Sequence, residues 1–460
     1  MSNNSPLPEC SNRSESPFAS TRKALTLGAC AILLSTLATH AFAQATPARF
    51  VSFNEFIDNT KSTAADDLLR RPESNAKEPA AIEEMRKAIL DRYNGVEVTH
   101  SFLLDGQHYD CVPLNQQPAF RTYGLKTAAA APPAELLNSH RTPASAREIT
   151  PANKPEPAEP FDAFGHSTQC EEHTVPLLRT TLETMSHFGT LQEFYQKKPG
   201  NAVRAAQSRL FEDPSVTSHK YSFTYQYVNN LGGNSNLNLW NPYVNTAWGE
   251  IFSLSQEWYI GGSGSGTQTE EVGWVVYPAM FGGSEKAHFF IFSTADNYAT
   301  GCWNNTCGDF VQVADSGLLG NSFSNYSTNG GAQYEIGAEY YLYQGNWWLG
   351  FNGTWVGYYP GSKYHGGQNS RYAQIIEFGT EGVGTWIWPQ EGSGAWSSTG
   401  WSHAAYQRNL YYISTTGTSY WDSLTKDQPS PACYTITGPY TSTGAWSRYF
   451  YEGGPGGTGC

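Results

Sequence analysis

Two glutamates in aromatic and β-branched segments are the residues of this sequence best suited to act as a chemical pair. Glu271 and Glu377 each stand in a run typical of β-strands. Because successive side chains of a strand point to opposite faces, Glu271 shares a face with Gly273, and Glu377 shares one with Gly379. A glycine beside a carboxylate leaves room for a substrate to dock, and two such carboxylates can act as general acid and general base. Each glutamate alone is typical of a half-exposed strand residue, and together the two allow hydrolysis by paired carboxylates as one chemistry.

Other common catalytic motifs are absent from the sequence. No Gly-x-Ser-x-Gly motif marks a nucleophilic serine, and neither Cys-x-x-Cys nor His-Glu-x-x-His spacing marks a metal site. The net charge of −13 and the lack of clustered Lys and Arg argue against a nucleic-acid partner. We therefore expect a protein with no metal, no other cofactor and no nucleic-acid partner.

The elements that must position the two glutamates are strands. Aromatic residues make up 14% of the chain and 45 residues are glycine, a composition that favours short strands joined by tight turns. About ten antiparallel strands without a fixed repeat are typical of a mainly β fold, a sandwich or jelly roll. The predicted strands are 221–228, 237–240, 252–260, 271–277, 287–293, 334–343, 347–351, 354–359, 373–378 and 406–414.

The residues before this β-rich region predict a small α+β unit over 44–125. A helical periodicity ends at Asn94-Gly95, and Asp105-Gly106 predicts the turn of a β-hairpin. The Ala- and Pro-rich stretch 126–160 predicts a flexible linker. The apolar positions of the predicted helix are Ile82, Met85, Ile89, Leu90 and Tyr93.

Residues 161–215 predict a second upstream segment, which contains a helix around 181–197. A polar stretch follows this helix and carries the basic residues Arg204 and Arg209. Exposed polar segments of this kind are common sites of proteolytic cutting. The β-rich domain is therefore expected to begin at about residue 216.

The first 43 residues have the features of a signal peptide. Arg22-Lys23 precedes an apolar stretch over 24–37, and Ala41-Phe42-Ala43 has the small-x-small form of a cleavage site. Cleavage is expected after Ala43, which predicts a secreted or periplasmic protein that no membrane retains. No later apolar run is long enough to span a bilayer.

Six cysteines remain after the predicted signal peptide, an even number that favours disulfides in an exported chain. Six cysteines allow 15 pairings, and proximity in the sequence narrows the choice. The predicted pairs are Cys302–Cys307, Cys433–Cys460 and Cys111–Cys170.

A set of motifs that keeps its order along the chain resembles the neprosin family of glutamic peptidases. Upstream, YDCV (109–112), QPAF (117–120) and TVP (174–176) near Cys170 resemble the family's activation segment. In the β-rich region the motifs are FSLSQEW (252–258), EVGWVVYP (271–278), ATGC (299–302), WW (347–348), GYYP (357–360), IEFG (376–379) and YFYEGGPGG (449–457).

This resemblance implies a secreted endopeptidase that is made as a zymogen and cuts after proline. It implies an antiparallel, jelly-roll-like β-sandwich over 216–460 as the catalytic domain, with residues 44–215 as the pro-segment. The family's two catalytic glutamates match Glu271 and Glu377, whereas Glu270 stands where plant members carry an apolar residue. Phe378 and Thr380 depart from the plant pattern, which has Trp and Gly there.

The expected mechanism needs no covalent intermediate. Two neighbouring carboxylates share one proton, so the ionised member can activate water while the protonated member assists the leaving nitrogen. Gln256 is a candidate for stabilising the oxyanion through its amide donors. Aromatic residues near the glutamates could line a groove for a proline ring, and the candidates are Trp258, Trp274 and Tyr358.

The pro-segment is expected to inhibit the enzyme until acid releases it. Histidines gain charge as the pH falls through about 6.5, so the electrostatic attraction between pro-segment and catalytic domain changes on acidification. The pro-segment histidines are His100, His108, His140, His166, His173 and His187.

Two other classes of function fit the same residues. A secreted glycoside hydrolase also uses paired carboxylates, about 5 to 10 Å apart. A carbohydrate-binding β-sandwich would use the aromatic side chains without any turnover. Hydrolysis of a proline-containing peptide would separate the peptidase from both alternatives.

Overall fold

The computed structural model describes residues 49–137, 160–197, 218–314 and 319–460, with the backbone alone of Thr150–Pro151. The predicted signal peptide, His140, most of the linker and the basic stretch with Arg204 and Arg209 lie outside the described residues. The helices are α1 Phe53–Ser62, α2 Ala65–Leu69, α3 Pro79–Arg92, α4 Pro118–Tyr123, α5 Leu182–Ser186 and α6 Leu191–Tyr195.

Strands dominate the described chain, which confirms the mainly β prediction. The first eleven strands are β1 His100–Leu104, β2 Gln107–Pro113, β3 Thr150–Pro151, β4 Thr174–Leu178, β5 Ser218–Asn238, β6 Glu250–Gly261, β7 Gln268–Val276, β8 Ala287–Thr294, β9 Cys302–Trp303, β10 Val311–Gln312 and β11 Tyr334–Tyr343. The others are β12 Asn346–Phe351, β13 Thr354–Pro360, β14 Ala373–Gly384, β15 Ile387–Trp388, β16 Ala405–Ser414, β17 Ser419–Trp421, β18 Thr425–Asp427, β19 Thr435–Thr441, β20 Arg448–Gly453 and β21 Gly457–Thr458.

The long strand β5 belongs to both layers of the main sheet. Its residues up to Asn230 pair with β14, and its residues from Gly232 onward pair with β11. Gly232 has a φ of +127°, and a Cβ atom there would lie 1.9 Å from the carbonyl oxygen of Tyr340. Glycine is therefore required where β5 bends. We predicted two strands, 221–228 and 237–240, and this was wrong because the glycines bend the strand without ending it.

The main sheet curls so that two layers enclose the core. One layer has the order β5–β14–β6–β7–β8–β9, and the other has the order β5–β11–β12–β13–β10. Strands β16, β20 and β19 extend the sheet from β5. Side chains from both layers meet in one apolar cluster, which includes Val272, Trp274, Ile376 and Phe378 from the first layer and Ile336, Tyr340, Trp347 and Leu349 from the second.

The upstream part contains the helix and the hairpin predicted within 44–125, and its sheet also includes β4 from the segment predicted as 161–215. Strands β1, β2 and β4 form a three-stranded sheet, and Asp105-Gly106 closes the β1–β2 hairpin. The predicted helix is α3. The helix predicted around 181–197 is instead two short helices, α5 and α6, because Gly189 separates them and Thr190 caps α6.

The start of the predicted linker is in contact with the β-sheet. The backbone amide of Ala129 donates to the Tyr358 hydroxyl at 2.9 Å. A Cβ atom added at Gly350 would lie 2.4 Å from Leu137, so that leucine covers the glycine closely. Residues 138–159, apart from the backbone of Thr150–Pro151, lie outside the described chain.

All three predicted disulfides are present: Cys111–Cys170, Cys302–Cys307 and Cys433–Cys460. Disulfides of this kind are typical of proteins exported to an oxidising environment. Among the described residues, no helix is both long enough and apolar enough to cross a membrane.

Several carboxyl groups are buried on the core side of the first layer. Burial raises the pKa of Glu452 to about 8, although the Ser255 hydroxyl donates to it at 2.7 Å. Burial likewise raises the pKa of Glu270 to about 8, although Asn369 donates to it at 2.8 Å. These glutamates hold a proton in the folded state at pH values where the unfolded chain has released it.

We predict that the contribution of Glu270 and Glu452 to the free energy of unfolding is greatest below about pH 4.5 and is lost as the pH rises through about 8. Each such glutamate contributes at most about 1.4 kcal/mol per pH unit, because the folded state binds one proton more than the unfolded state in this range. Urea unfolding at a series of pH values gives the free energy of unfolding as a function of pH. The slope of this free energy against pH should be smaller for Glu452→Gln than for the wild type. The exposed Glu285 provides the control, since Glu285→Gln should keep the wild-type slope. A Glu452→Gln slope equal to that of the wild type would contradict the prediction.

Candidate active site

Strand β6 places the two predicted glutamates in one row. Trp258 of β6 lies opposite Glu271 of β7 on one side and opposite Glu377 of β14 on the other. Residues directly opposite each other in an antiparallel sheet present their side chains on the same face. The Cα atoms of the glutamates are separated by two strand spacings, about 10 Å. We call the sheet surface that carries Glu377, Trp258 and Glu271 the glutamate face.

The next row of the glutamate face contains Gln256 between the two glycines that the sequence singled out. Gly273 and Gly379 lie opposite Gln256 on the two neighbouring strands. A Cβ atom at Gly273 would lie 2.0 Å from the carbonyl oxygen of Ser255, and one at Gly379 would lie 2.3 Å from that of Ser222. The glycines therefore allow close approach of the strands, and they do not leave the open space that we expected.

Glu271 is fully buried and both of its carboxylate oxygens have partners. Oε1 accepts hydrogen bonds from the hydroxyls of Thr269, at 2.9 Å, and Tyr298, at 2.7 Å. Oε2 lies 2.6 Å from Nζ of Lys197. The first two partners belong to the β-rich domain, whereas Lys197 belongs to the predicted pro-segment and follows helix α6.

The ammonium group of Lys197 is inserted into the glutamate face, with only 3% of the residue exposed. Nζ donates to Oε1 of Gln256 at 3.0 Å and lies 2.7 Å from Oε2 of Glu381. Four aromatic rings surround the ammonium, with centroids 5.6 to 6.0 Å from Nζ: Trp258, Phe290, Phe292 and Trp303. We call these rings, together with Glu271, Glu381 and Gln256, the lysine pocket.

Glu381 is a third carboxylate on the glutamate face, four residues beyond Glu377 on the same strand. Its Oε1 is bound by Nδ1 of His219 at 2.5 Å and by the hydroxyl of Tyr221 at 3.1 Å. Burial opposes ionisation of Glu381, but the charge of Lys197 and the hydrogen bond from His219 lower its pKa to about 2. Glu381 is therefore a stable anion in this structure.

The sequence analysis missed both Glu381 and Lys197. The strand predicted to end at residue 378 extends as β14 to Gly384, so Glu381 falls on the face of Glu377 by simple alternation. That signal was present in the sequence. Lys197 carried no such signal, because its contact with Glu271 joins residues 74 positions apart.

Glu377 differs from Glu271 in having no hydrogen-bond partner among the described residues. It is half-buried, next to an apolar cluster that includes Trp258 and Ile375. Burial, and then the negative charges of Glu271 and Asp427, raise its pKa to about 8. One member of the pair is thus paired with lysine, and the other holds a proton near neutral pH.

The remaining predicted site residues lie in different places. Trp258 stands between the two glutamates, and the side-chain Nε2 of Gln256 is buried without a hydrogen-bond partner among the described residues. Trp274 points into the core from the opposite face of β7, where its Nε1 donates to the carbonyl of Asn238 at 3.0 Å. Tyr358 packs on Trp348 in a separate cluster, and neither it nor Trp274 contributes to the glutamate face.

One group of potential metal ligands comes together in the described chain. It consists of Cys302, Cys307 and Asp309. The two sulfurs are joined in a disulfide, so they offer no thiolate to a metal. Asp309 instead binds Nζ of Lys363 at 2.6 Å.

The fold and the site define a mainly β protein that carries a row of acidic residues on one face of a curled antiparallel sheet. Residues 249–455 match the Neprosin family model, and this range contains both glutamates. The match over these residues confirms the resemblance to the neprosin family seen in the sequence. The match supports a peptidase that acts on a peptide or protein substrate.

Two solved structures are similar to part of the chain. Both are crystal structures of scytalido-glutamic peptidase, one with a transition-state analog inhibitor and one with a peptide-based transition-state analog. They are 10% and 8% identical to this chain, and each alignment covers 52% of this chain and 99% of that chain with a TM-score of 0.29. At this level of similarity neither structure defines the function of the chain.

The raised pKa of Glu377 leads to a direct test of its coupling to Glu271. We predict that Glu271→Gln lowers the pKa of Glu377. Glu271 and Asp427 are the two negative charges that oppose ionisation of Glu377, and Glu271 has the larger effect. Carbon-13 NMR of labelled glutamate side chains, assigned with Glu377→Gln, would follow the titration. Asp427→Asn should produce a smaller decrease, and an unchanged titration in Glu271→Gln would show that the two glutamates are not coupled.

Proposed function

We propose that this protein is a secreted glutamic endopeptidase in which Glu271 and Glu377 form the catalytic pair. The observation that carries the proposal is their position in one row of the glutamate face, on either side of Trp258. Their environments differ in the way that acid–base catalysis requires, since Glu271 is paired with a lysine, whereas burial and neighbouring negative charges raise the pKa of Glu377 to about 8. The family match supports the peptidase class.

The proposed reaction uses a water molecule and both carboxyl groups. Glu377, which holds a proton, donates to the carbonyl oxygen or to the leaving nitrogen, and ionised Glu271 accepts a proton from the attacking water. Gln256 has an unused buried amide donor beside the pair, which suits it to stabilise the oxyanion of the intermediate. Trp258 offers an indole face to a proline ring, so cleavage after proline is part of the proposal.

We predict that Glu271→Gln and Glu377→Gln each reduce kcat by several orders of magnitude. The substitution retains the shape of the side chain and removes the titrating proton. The assay is hydrolysis of a proline-containing peptide between pH 3 and 8, read by mass spectrometry. Glu270→Gln is the matched control, because Glu270 lies next to Glu271 on the same strand but faces the core.

More than about a tenth of the wild-type kcat in either variant would remove that glutamate from the mechanism. Release of sugar from a polysaccharide, with the peptide left intact, would instead indicate a glycoside hydrolase. Binding of carbohydrate without turnover of either substrate would indicate a binding module. The same purified protein can be used for all three measurements.

The second part of the proposal is that residues 44–215 inhibit the enzyme in its precursor. Lys197 occupies Oε2 of Glu271, and Thr269 and Tyr298 donate to Oε1, so a water activated by Glu271 would have to compete with the lysine. Neighbouring Gln196 fixes this insertion, since its carbonyl accepts a hydrogen bond from Nε1 of Trp303 at 3.1 Å. Farther away, Gln117 exchanges two hydrogen bonds with the backbone of Gln312, at 2.8 and 2.9 Å.

The histidines differ in how they could respond to acid. His187 is in contact with the β-rich domain, since its Nδ1 lies 3.0 Å from the carbonyl oxygen of Ala279. His100 and His166 bind Ser167 and Asp162 within the upstream part. Burial lowers the pKa of His108 to about 4, and His173 is exposed beside Glu172. His187 is therefore the described pro-segment histidine whose ring contacts the backbone of the β-rich domain.

We predict that the Lys197→Met precursor hydrolyses peptide without being shortened, at a rate at least about tenfold above that of the uncut wild-type precursor. Methionine fills the space of the lysine stem and frees the oxygen of Glu271 from its charged partner. Peptide assays and mass spectrometry of the precursor, recorded together at pH 5, would test this. Lys77→Met, at an exposed position of the same pro-segment, is the control.

The wild-type precursor should be whole and inert at neutral pH, and in acid it should be cut between about residues 197 and 219 and gain activity. Unimolecular kinetics of this cutting would indicate self-cleavage. A wild-type precursor that hydrolysed peptide in acid without shortening would contradict the inhibitory role.

A further inference from the structure

The lysine pocket matches a primary ammonium group in the number and kind of its ligands. Nζ has three donors, and the pocket offers three oxygens: Oε2 of Glu271 at 2.6 Å, Oε2 of Glu381 at 2.7 Å and Oε1 of Gln256 at 3.0 Å. A planar guanidinium distributes five donors in a fork, which this compact set of acceptors does not match. The geometry therefore selects an alkylammonium over an arginine side chain.

The walls of the pocket favour the same ligand. Four aromatic rings lie within 6.0 Å of Nζ, and their faces attract a cation while their edges accommodate an alkyl stem. These rings belong to strands of the main sheet: Trp258 to β6, Phe290 and Phe292 to β8, and Trp303 to β9. A neutral group of the same length would gain the apolar contacts and lose the attraction to two carboxylates.

The pocket is built by the β-rich domain and does not depend on Lys197 for its shape. Glu381 is held by His219 and Tyr221, and Glu271 by Thr269 and Tyr298, all of which belong to that domain. Withdrawal of Lys197 would leave two buried carboxylates facing the same space without the ammonium that they share. Such an arrangement is unfavourable until a proton or another cation enters.

We propose that the lysine pocket is a binding site for the primary ammonium of a lysine side chain, and that it takes such a group from another peptide once Lys197 has left. The effect on activity rests on the proposed function: a bound lysine occupies Glu271, so lysine-containing peptides act as competitive inhibitors. The released pro-segment, which carries Lys197, is one such peptide. The binding itself requires no turnover.

The test replaces the lysine side chain by a soluble amine in the full-length protein. Lys197→Ala removes three methylene carbons and the nitrogen, so n-propylammonium restores the missing atoms. Calorimetry at pH 7, together with the fluorescence of Trp258 and Trp303, should show saturable binding to Lys197→Ala and none to the wild type, whose pocket is filled. The neutral isostere 1-propanol should bind at least about tenfold more weakly, because it cannot pair with either carboxylate.

Two further variants make the test specific. Lys197→Gly lacks one more carbon, so it should prefer n-butylammonium to n-propylammonium, and this measurement also stands if Lys197→Ala fails to fold. In the Lys197→Ala background, Glu381→Gln should weaken amine binding by about tenfold or more, because a charged partner of the ammonium is lost. Glu377→Gln should leave it unchanged, because Glu377 does not contact Nζ.

Equal binding of amine and alcohol, or equal binding by the wild type and Lys197→Ala, would overturn the proposal. So would an unchanged affinity in the Glu381→Gln background. Because each readout is binding, a protein that bound the amine but hydrolysed no peptide would refute the proposed function and leave the lysine site in place.

Discussion

The register of β6 between β7 and β14 is the constraint on which the site depends. It sets Trp258 opposite both Glu271 and Glu377, and it sets Gln256 in the following row. A shift of one residue in either pairing would turn one glutamate into the core and bring a core residue to the surface. The close contacts at Gly273 and Gly379 help to fix this register, since any larger residue would push the strands apart.

Carboxyl groups on the two faces of these strands are accommodated in opposite ways. On the core side Glu270 and Glu452 are buried with neutral donors, which favours their protonated form. On the glutamate face Glu271 and Glu381 share a lysine, and Glu381 is ionised as a result. A buried carboxyl group must either be neutral or have a charged partner, and this one sheet uses both solutions.

Local patterns in the sequence were sufficient to propose Glu271 and Glu377 as a pair, because alternation along a strand and an ordered set of motifs need no tertiary information. Glu381 was missed because the glycines after Phe378 were read as the end of the strand, whereas β14 continues through them. Lys197 was not predictable, since its role depends on a contact between distant segments. Trp274 could have been set aside, because alternation already placed it on the face opposite Glu271.

None of the three disulfides connects the part of the chain before residues 198–217 with the part after them. Cys111–Cys170 lies before residues 198–217, and both Cys302–Cys307 and Cys433–Cys460 lie after them. A cut within 198–217 would thus yield two pieces that no described disulfide joins, held together by a shared apolar cluster that includes Phe194, Phe290 and Phe292. Their separation then obeys mass action, so dilution would favour the separate β-rich piece, and at high concentration the two pieces would remain largely associated.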